Sequence, residues 1–309
     1  MLVLLCGAGG VAAFVAVSDL PSGGSAAAEG GGKASSSPSS PPKPLSVADY
    51  QAVLTEVDAL IGPAWQKVVA ATNRTAMSEA AVLLARAAKD SEARLAYVTA
   101  PTEAEAGHAH LKRAFASTGN DFSDLALAVQ QGDVCASSSA VSQVTGSPAA
   151  TEVREAVKAF GTTFTFGAWL PAPAAKQDRK LANGTYVKKG TLNGSGEFTI
   201  NNGGGDTDVV VSLVPNGTKV AATTVYVTAG STFKVKHVRD GSYQVYMATG
   251  ADWDAGIAGF TRNCDMSKFT DPLDFKTTSR QYTTWEITLK KTAGGNAHTD
   301  PVDAADYPQ

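Results

Sequence analysis

From residue 47 to residue 160 apolar side chains recur at the three- and four-residue steps of a helix; beyond residue 162 they alternate at the two-residue step of a strand. Tyr50, Val53, Leu54, Val57, Leu60 and Ile61 make the first stripe, and Ala64, Val68 and Ala71 carry it past Pro63, where a kink is expected. Asn73 or Thr75 can cap a second helix holding Met77, Val82, Leu83, Leu84, Leu95 and Val98, which Ala100-Pro101 ends. Thr102, with Glu105 three residues on, spells a capping box for a third helix. Its buried face is Leu111, Phe115, Phe122, Leu125 and Val129, with a weak point at Gly119 and an end at Gly132. After a turn at 137–139, a short helix covers Val141 and Val144, and Pro148 starts a last one with Val153, Val157 and Phe160. Long helices separated by short breaks predict an antiparallel bundle over residues 47–161.

Residues 162–189 read as a connecting segment, mixing Pro, Lys and Asn without a clear period, although 163–169 could open a strand. Strand-like runs then follow at 197–201, 208–214, 223–228, 232–238, 242–249, 257–261, 273–277 and 282–289, punctuated by turns such as Pro215-Asn216-Gly217 and Asp240-Gly241. Short strands broken this often predict an antiparallel β-sandwich over 190–309, ending in a tail. The expected fold is therefore α+β in two domains: an N-terminal antiparallel helical bundle and a C-terminal antiparallel β-sandwich.

The start of the chain departs from both periods. Residues 1–17 carry no charged side chain, and 18–46 are a linker of Ser, Gly, Ala and Pro with too little apolar surface to fold. The apolar run just reaches the length of a short membrane span. It reads as a secretory signal cleaved after Ala16-Val17-Ser18, as a lipoprotein signal on Cys6, or as an uncleaved anchor; a buried core segment is the competing reading. A signal would need a basic n-region, which is missing and puts the expected start upstream of Met1; a lipobox would need a small residue where Leu5 stands. A tether behind a membrane segment places the body outside the cell, at the surface or anchored to the membrane.

The totals narrow the partners. A net charge of −3 gives no footprint for nucleic acid, and a hydrophobic share of 43% is that of a globular chain. Outside the apolar start only Cys135 and Cys264 remain, and an exported body would let them form a disulfide or keep them as two buried thiols; sequence alone leaves both open. His108 and His110 diverge on a helix and are expected to face solvent or cap rather than bind metal, and Glu103 and Glu105 suit a helix N-terminus.

Four segments carry a resemblance: Asp240-Gly241-Ser242-Tyr243, Gly250-Ala251-Asp252-Trp253-Asp254, Phe260-Thr261-Arg262-Asn263-Cys264, and the tail from Gly294 to Val302. In this strand pattern they resemble a domain of exported actinobacterial proteins, similar to transthyretin-like and carboxypeptidase-regulatory-like sandwiches. Val134-Cys135-Ala136-Ser137-Ser138 is similar to parts of actinobacterial surface lipoproteins. The resemblance implies fold and location and supplies no catalytic residue.

Trp253, Phe260, Phe269, Phe275, Tyr282 and Trp285 give the strand half its aromatics. An exposed ring can stack on a sugar while polar neighbours bond its hydroxyls; sandwich cores need such rings too. Trp253, between Asp252 and Asp254 in an expected loop and near Arg262, is the ring best placed for a ligand. Asp252, Asp254, Asp265, Asp271 and Asp274 raise calcium, but their spacing matches no EF-hand loop, and no metal or other cofactor is expected. There is no Gly-x-Ser-x-Gly elbow, His-Glu-x-x-His, phosphate loop or Cys-x-x-Cys, and no catalytic residue is assigned. The expectation is a non-catalytic surface protein binding a cell-wall glycan or surface protein through its sandwich. The alternatives are an envelope protein acting through its helices and an unrecognised cell-wall hydrolase.

Overall fold

The computed structural model describes residues 43–289, 298–304 and 306–308. The readings of residues 1–42, including Cys6, and of 290–297 in the tail lie outside the described residues. The order is α+β: five α-helices come first and a strand-rich part follows. No helix among the described residues is long and apolar enough to cross a membrane.

Each helix starts and stops where the chemistry of its ends allows. Ser46 Oγ accepts the Asp49 N–H at 3.1 Å and opens α1 (Val47–Ala70), which runs on through Pro63. Asn73 Oδ1 accepts the Ala76 N–H at 2.8 Å and opens α2 (Arg74–Ala96). The capping box expected at Thr102 does not form. Thr102–Ala104 is a 3₁₀ turn, and α3 (Glu105–Gln131) begins after it without a side-chain cap. Gly132, at φ +87°, closes α3 in the left-handed conformation. The run 137–139 is not a turn but the first turn of α4 (Ser137–Thr145), and α5 (Pro148–Phe160) follows with Ser147 as its cap.

Tyr50, Trp65 and Phe115 are the largest side chains sealed in the helical core. Val82 and Leu83, expected inside, face solvent, because α2 turns an alanine-rich stripe (Ala80, Ala81, Ala85, Ala88) toward its neighbours, alongside Met77 and Leu84. Gly107 serves close packing as well: a Cβ there would run into the Phe160 ring of α5. Residues 163–169 form no strand. Phe164 and Phe166 pack on the helical core, and Asp58 holds the segment by accepting from Gly167 N (3.0 Å) and Trp169 Nε1 (2.9 Å).

The strands make two sheets. One has the order β1 (Tyr186–Lys189), β4 (Thr223–Val227), β3 (Asp208–Pro215), β6 (Gly241–Asp254), β7 (Gly259–Phe269), β10 (Thr299–Pro301), with β8 (Leu273–Phe275) on β6. The other is β5 (Thr232–Val238), β2 (Gly196–Asn201), β9 (Thr284–Thr288), in which β2 and β9 run parallel, unlike the antiparallel pairs elsewhere. Phe198 and Ile200 of β2 share one buried cluster with Val209, Val211 and Leu213 of β3. The loop expected around Asp252 is absent: β6 continues to Asp254, with an irregular register after Thr249 and Asp252 at φ +59°, so only residues 255–258 remain as the turn into β7.

Candidate functional site: a cleft between α4 and β7

A cleft of about 380 Å³ opens where the helical part meets the sheet. Five segments build it. The α3–α4 connector supplies Asp133 and Val134, and α4 supplies Ser138, Ser139, Ser142 and Gln143. Residues 175–177 form another wall, and β6 and β7 contribute Asp252, Thr261, Arg262 and Asn263.

Local bonds hold these walls together. The connector lies along β7, with Val134 bridged to Arg262. Ser139 Oγ sits 2.7 Å from Thr261 O, and Ser142 Oγ donates to Ala174 O at 3.1 Å. Cys135 and Cys264 are joined in a disulfide beside the cleft, S–S 2.15 Å.

Asp252 is buried on the cleft floor with both oxygens engaged. Oδ1 accepts from Arg179 N (2.9 Å) and Nε (2.8 Å); Oδ2 accepts from Arg179 Nη2 (2.8 Å) and Thr261 Oγ1 (2.6 Å). The Arg179 guanidinium, followed by the Thr261 hydroxyl, holds its carboxyl far below the usual carboxylate range against the opposing effect of burial. Arg179 also reaches Asp254 Oδ2 at 3.0 Å, and its carbonyl accepts from Trp253 N at 2.8 Å. One arginine thus clips the crossing segment to the end of β6. Arg262 repeats the device, donating to Gln177 O and lying 3.5 Å from Asp178.

Of the residues singled out for binding, Asp252 and Arg262 line the cleft; Trp253 and Asp254 do not. Trp253 is 5% exposed, so the platform expected of it does not exist. Its place on a strand explains why. Successive side chains point to opposite faces, so with Asp252 on the cleft floor Trp253 turns into an apolar cluster, edge-on to Tyr226 (5.7 Å) and Phe260 (5.1 Å). Asp254 accepts from Gly256 N at 2.8 Å and pairs with Arg179. Phe260, Phe269 and Phe275 are core residues; Tyr282 (51%) and Trp285 (38%) are the exposed rings of that set, away from the cleft. Among the described residues no group of three or more His, Cys, Asp or Glu is arranged to hold a metal.

Against the expectation that the histidines face solvent or cap a helix, His108 does neither. It is buried with Nδ1 3.0 Å from Tyr50 OH, and burial, reinforced by Lys112, lowers its pKa. His110 meets Glu152 at 2.6 Å, and that contact together with Arg113 lowers the Glu152 pKa.

Sequence reasoning missed Arg179 and the role of α4. Arg179 lies in an aperiodic stretch, 73 residues from the acid it grips. The serine run of α4 carries a turn-like composition with no apolar period of its own. No family model, curated protein or solved structure matches this chain.

Proposed function

We propose that this chain is an exported, non-catalytic surface protein that binds a surface polypeptide through the cleft between α4 and β7, with residues 1–17 as its address. In this reading the two sheets are the faces of a β-sandwich and the helices a second domain, consistent with their separate buried clusters and with the resemblance to exported actinobacterial proteins. The observation that carries it is the composition of the cleft. Ser138, Gln143, Lys176, Gln177 and Asn263 offer hydroxyl, amide and ammonium groups at its surface, and its lining includes no aromatic ring. That favours a polypeptide, whose backbone matches such groups, over a glycan needing a stacking platform. Two lining residues, Asp252 and Asn263 (φ +52°), hold left-handed backbone, a conformation that collects at working sites. Three lining groups are engaged within the protein: Ser139 and Ser142 with carbonyls, Asp252 with Arg179. That supports holding a ligand over turning one over.

A photoreactive residue at Gln143 tests this on intact cells of the source. It is expected to crosslink a surface polypeptide that the same residue at exposed Val220, outside the cleft, does not capture. Crosslinking from Leu83 on the exposed face of α2 alone would favour the reading in which the helices make the contact. Retention on purified cell-wall polysaccharide, abolished by Gln143→Trp, would replace the polypeptide with a glycan. Turnover of that polysaccharide would overturn the non-catalytic assignment.

A further inference from the structure

The joint at one side of the cleft is fastened twice. The α3–α4 connector runs antiparallel to β7: Cys264 N–H donates to Gly132 O (2.7 Å), Asn263 N–H to Asp133 O (3.2 Å) and Cys135 N–H to Thr261 O (2.8 Å). The Cys135–Cys264 disulfide crosses the same joint, with Cα atoms 6.4 Å apart. Both cysteines are half-buried, and each adjoins a residue of the cleft wall, Val134 and Asn263. The approach is close enough that a Cβ on Gly132 would stand 2.6 Å from Cys264 O.

This joint accommodates two oxidation states. Cys135 Sγ lies 3.0 Å from Gly132 O and Cys264 Sγ 3.3 Å from Phe260 O. A thiol formed at either position has a carbonyl acceptor beside it, so reduction leaves no S–H donor stranded. The short helix beyond the joint contacts the sheet through β7, with Ser139 reaching Thr261 O; it also bonds Ala174 through Ser142 and Thr145, and its packing on helices is chiefly against α1.

We propose that the Cys135–Cys264 disulfide is a reducible latch on the cleft: oxidised, it pins the connector and α4 against β7; reduced, it lets them lift and widens the cleft. As regulation of binding, this rests on the reading of the cleft as the binding site. A dithiol reductant supplies the chemistry. One of its thiolates attacks an accessible cysteine sulfur, forming a mixed disulfide and expelling the other cysteine as a thiolate. The reductant's second thiolate then displaces the remaining cysteine. Two electrons and two protons end on Cys135 and Cys264, and the reductant closes as its own cyclic disulfide.

Hydrogen exchange on the full chain, with and without dithiothreitol, and on the Cys135→Ser/Cys264→Ser double variant, decides the matter. The latch requires amides of α4 and of residues 261–264 to speed up on reduction at least about tenfold more than those of α2, α3 and β3, whose exchange follows the stability of the whole fold. An unchanged rate at α4 overturns it. An increase of the same size in all of these segments overturns it too, because reduction would then lower the stability of the fold without opening the cleft. Should the double variant fail to fold, the reduced wild-type protein alone distinguishes these outcomes. Exchange needs no bound partner, so a chain that crosslinks nothing from Gln143 can still show or lack the opening, and the two ideas fail separately.

Discussion

Asp252 accepts four hydrogen bonds, three of them from a single arginine, and this sets what its loss should do. Asp252→Asn keeps the shape but removes the charge, leaving the Arg179 fork half-matched; an expected loss of about 2–3 kcal/mol in urea unfolding follows from the size of charge-assisted bonds and the partial exposure of Arg179. The pH dependence has a definite sign. The folded pKa of Asp252 lies below its unfolded value, so its contribution is complete above the ordinary carboxylate pKa of about 3.9 and is lost as pH falls toward the folded value. The acid limb of a stability-versus-pH curve should therefore be shallower in Asp252→Asn. His108 acts in the same direction at higher pH. Burial against Tyr50 lowers its pKa, so the unfolded chain binds a proton first and stability declines as pH drops below about 6.5. His108→Gln should flatten that part of the curve whatever its cost at neutral pH.

Gly132 belongs to the scale of elements, because it ends α3, sits at φ +87° and touches β7 at once. Gly132→Ala should cost about 2 kcal/mol or more, combining left-handed strain with the clash on Cys264 O, whereas Gly217→Ala, at φ +79° with open space around it, should cost about 1 kcal/mol. Thermal melts of the two variants separate contact from strain. Most helices were legible in the sequence because their ends carry chemical marks: Asn73, Gly132 and Pro148 stand where the chain was expected to start or stop. Val82 and Leu83 misled because periodicity counts hydrophobicity, whereas the α2 contact selects small alanines that let helices approach. The strands between 196 and 238 were legible to within a residue or so, since apolar runs and glycine turns mark them. The end of β6 was not, because Asp252-Trp253-Asp254 has the composition of a loop and is held in the sheet with the help of Arg179, a residue remote in sequence. That misreading carried over to the site, since a tryptophan on a strand can face the core where one on a loop is expected to face water.

At the scale of the whole molecule, the disulfide closes a loop of 129 residues that takes in α4, α5 and most of the larger sheet. By the chain-entropy account such a loop stabilises by about 4–5 kcal/mol, so the Cys135→Ser/Cys264→Ser variant should unfold at markedly lower urea while keeping a single cooperative transition. The parallel pairing of β2 with β9 has a consequence for the order in which the chain becomes protein. Every residue from Glu197 to Asn201 meets its β9 partner only after β3 through β8 have been made, so the smaller sheet closes late and its folding is slowed by the span of chain it must enclose. The helices need nothing so distant, and their core is complete once Phe166 has emerged. A ribosome stalled before Thr284 would thus release a chain with finished helices and β2 as an open template, Phe198 and Ile200 alongside an unpaired edge, ready to recruit a neighbouring copy in place of its own last strand.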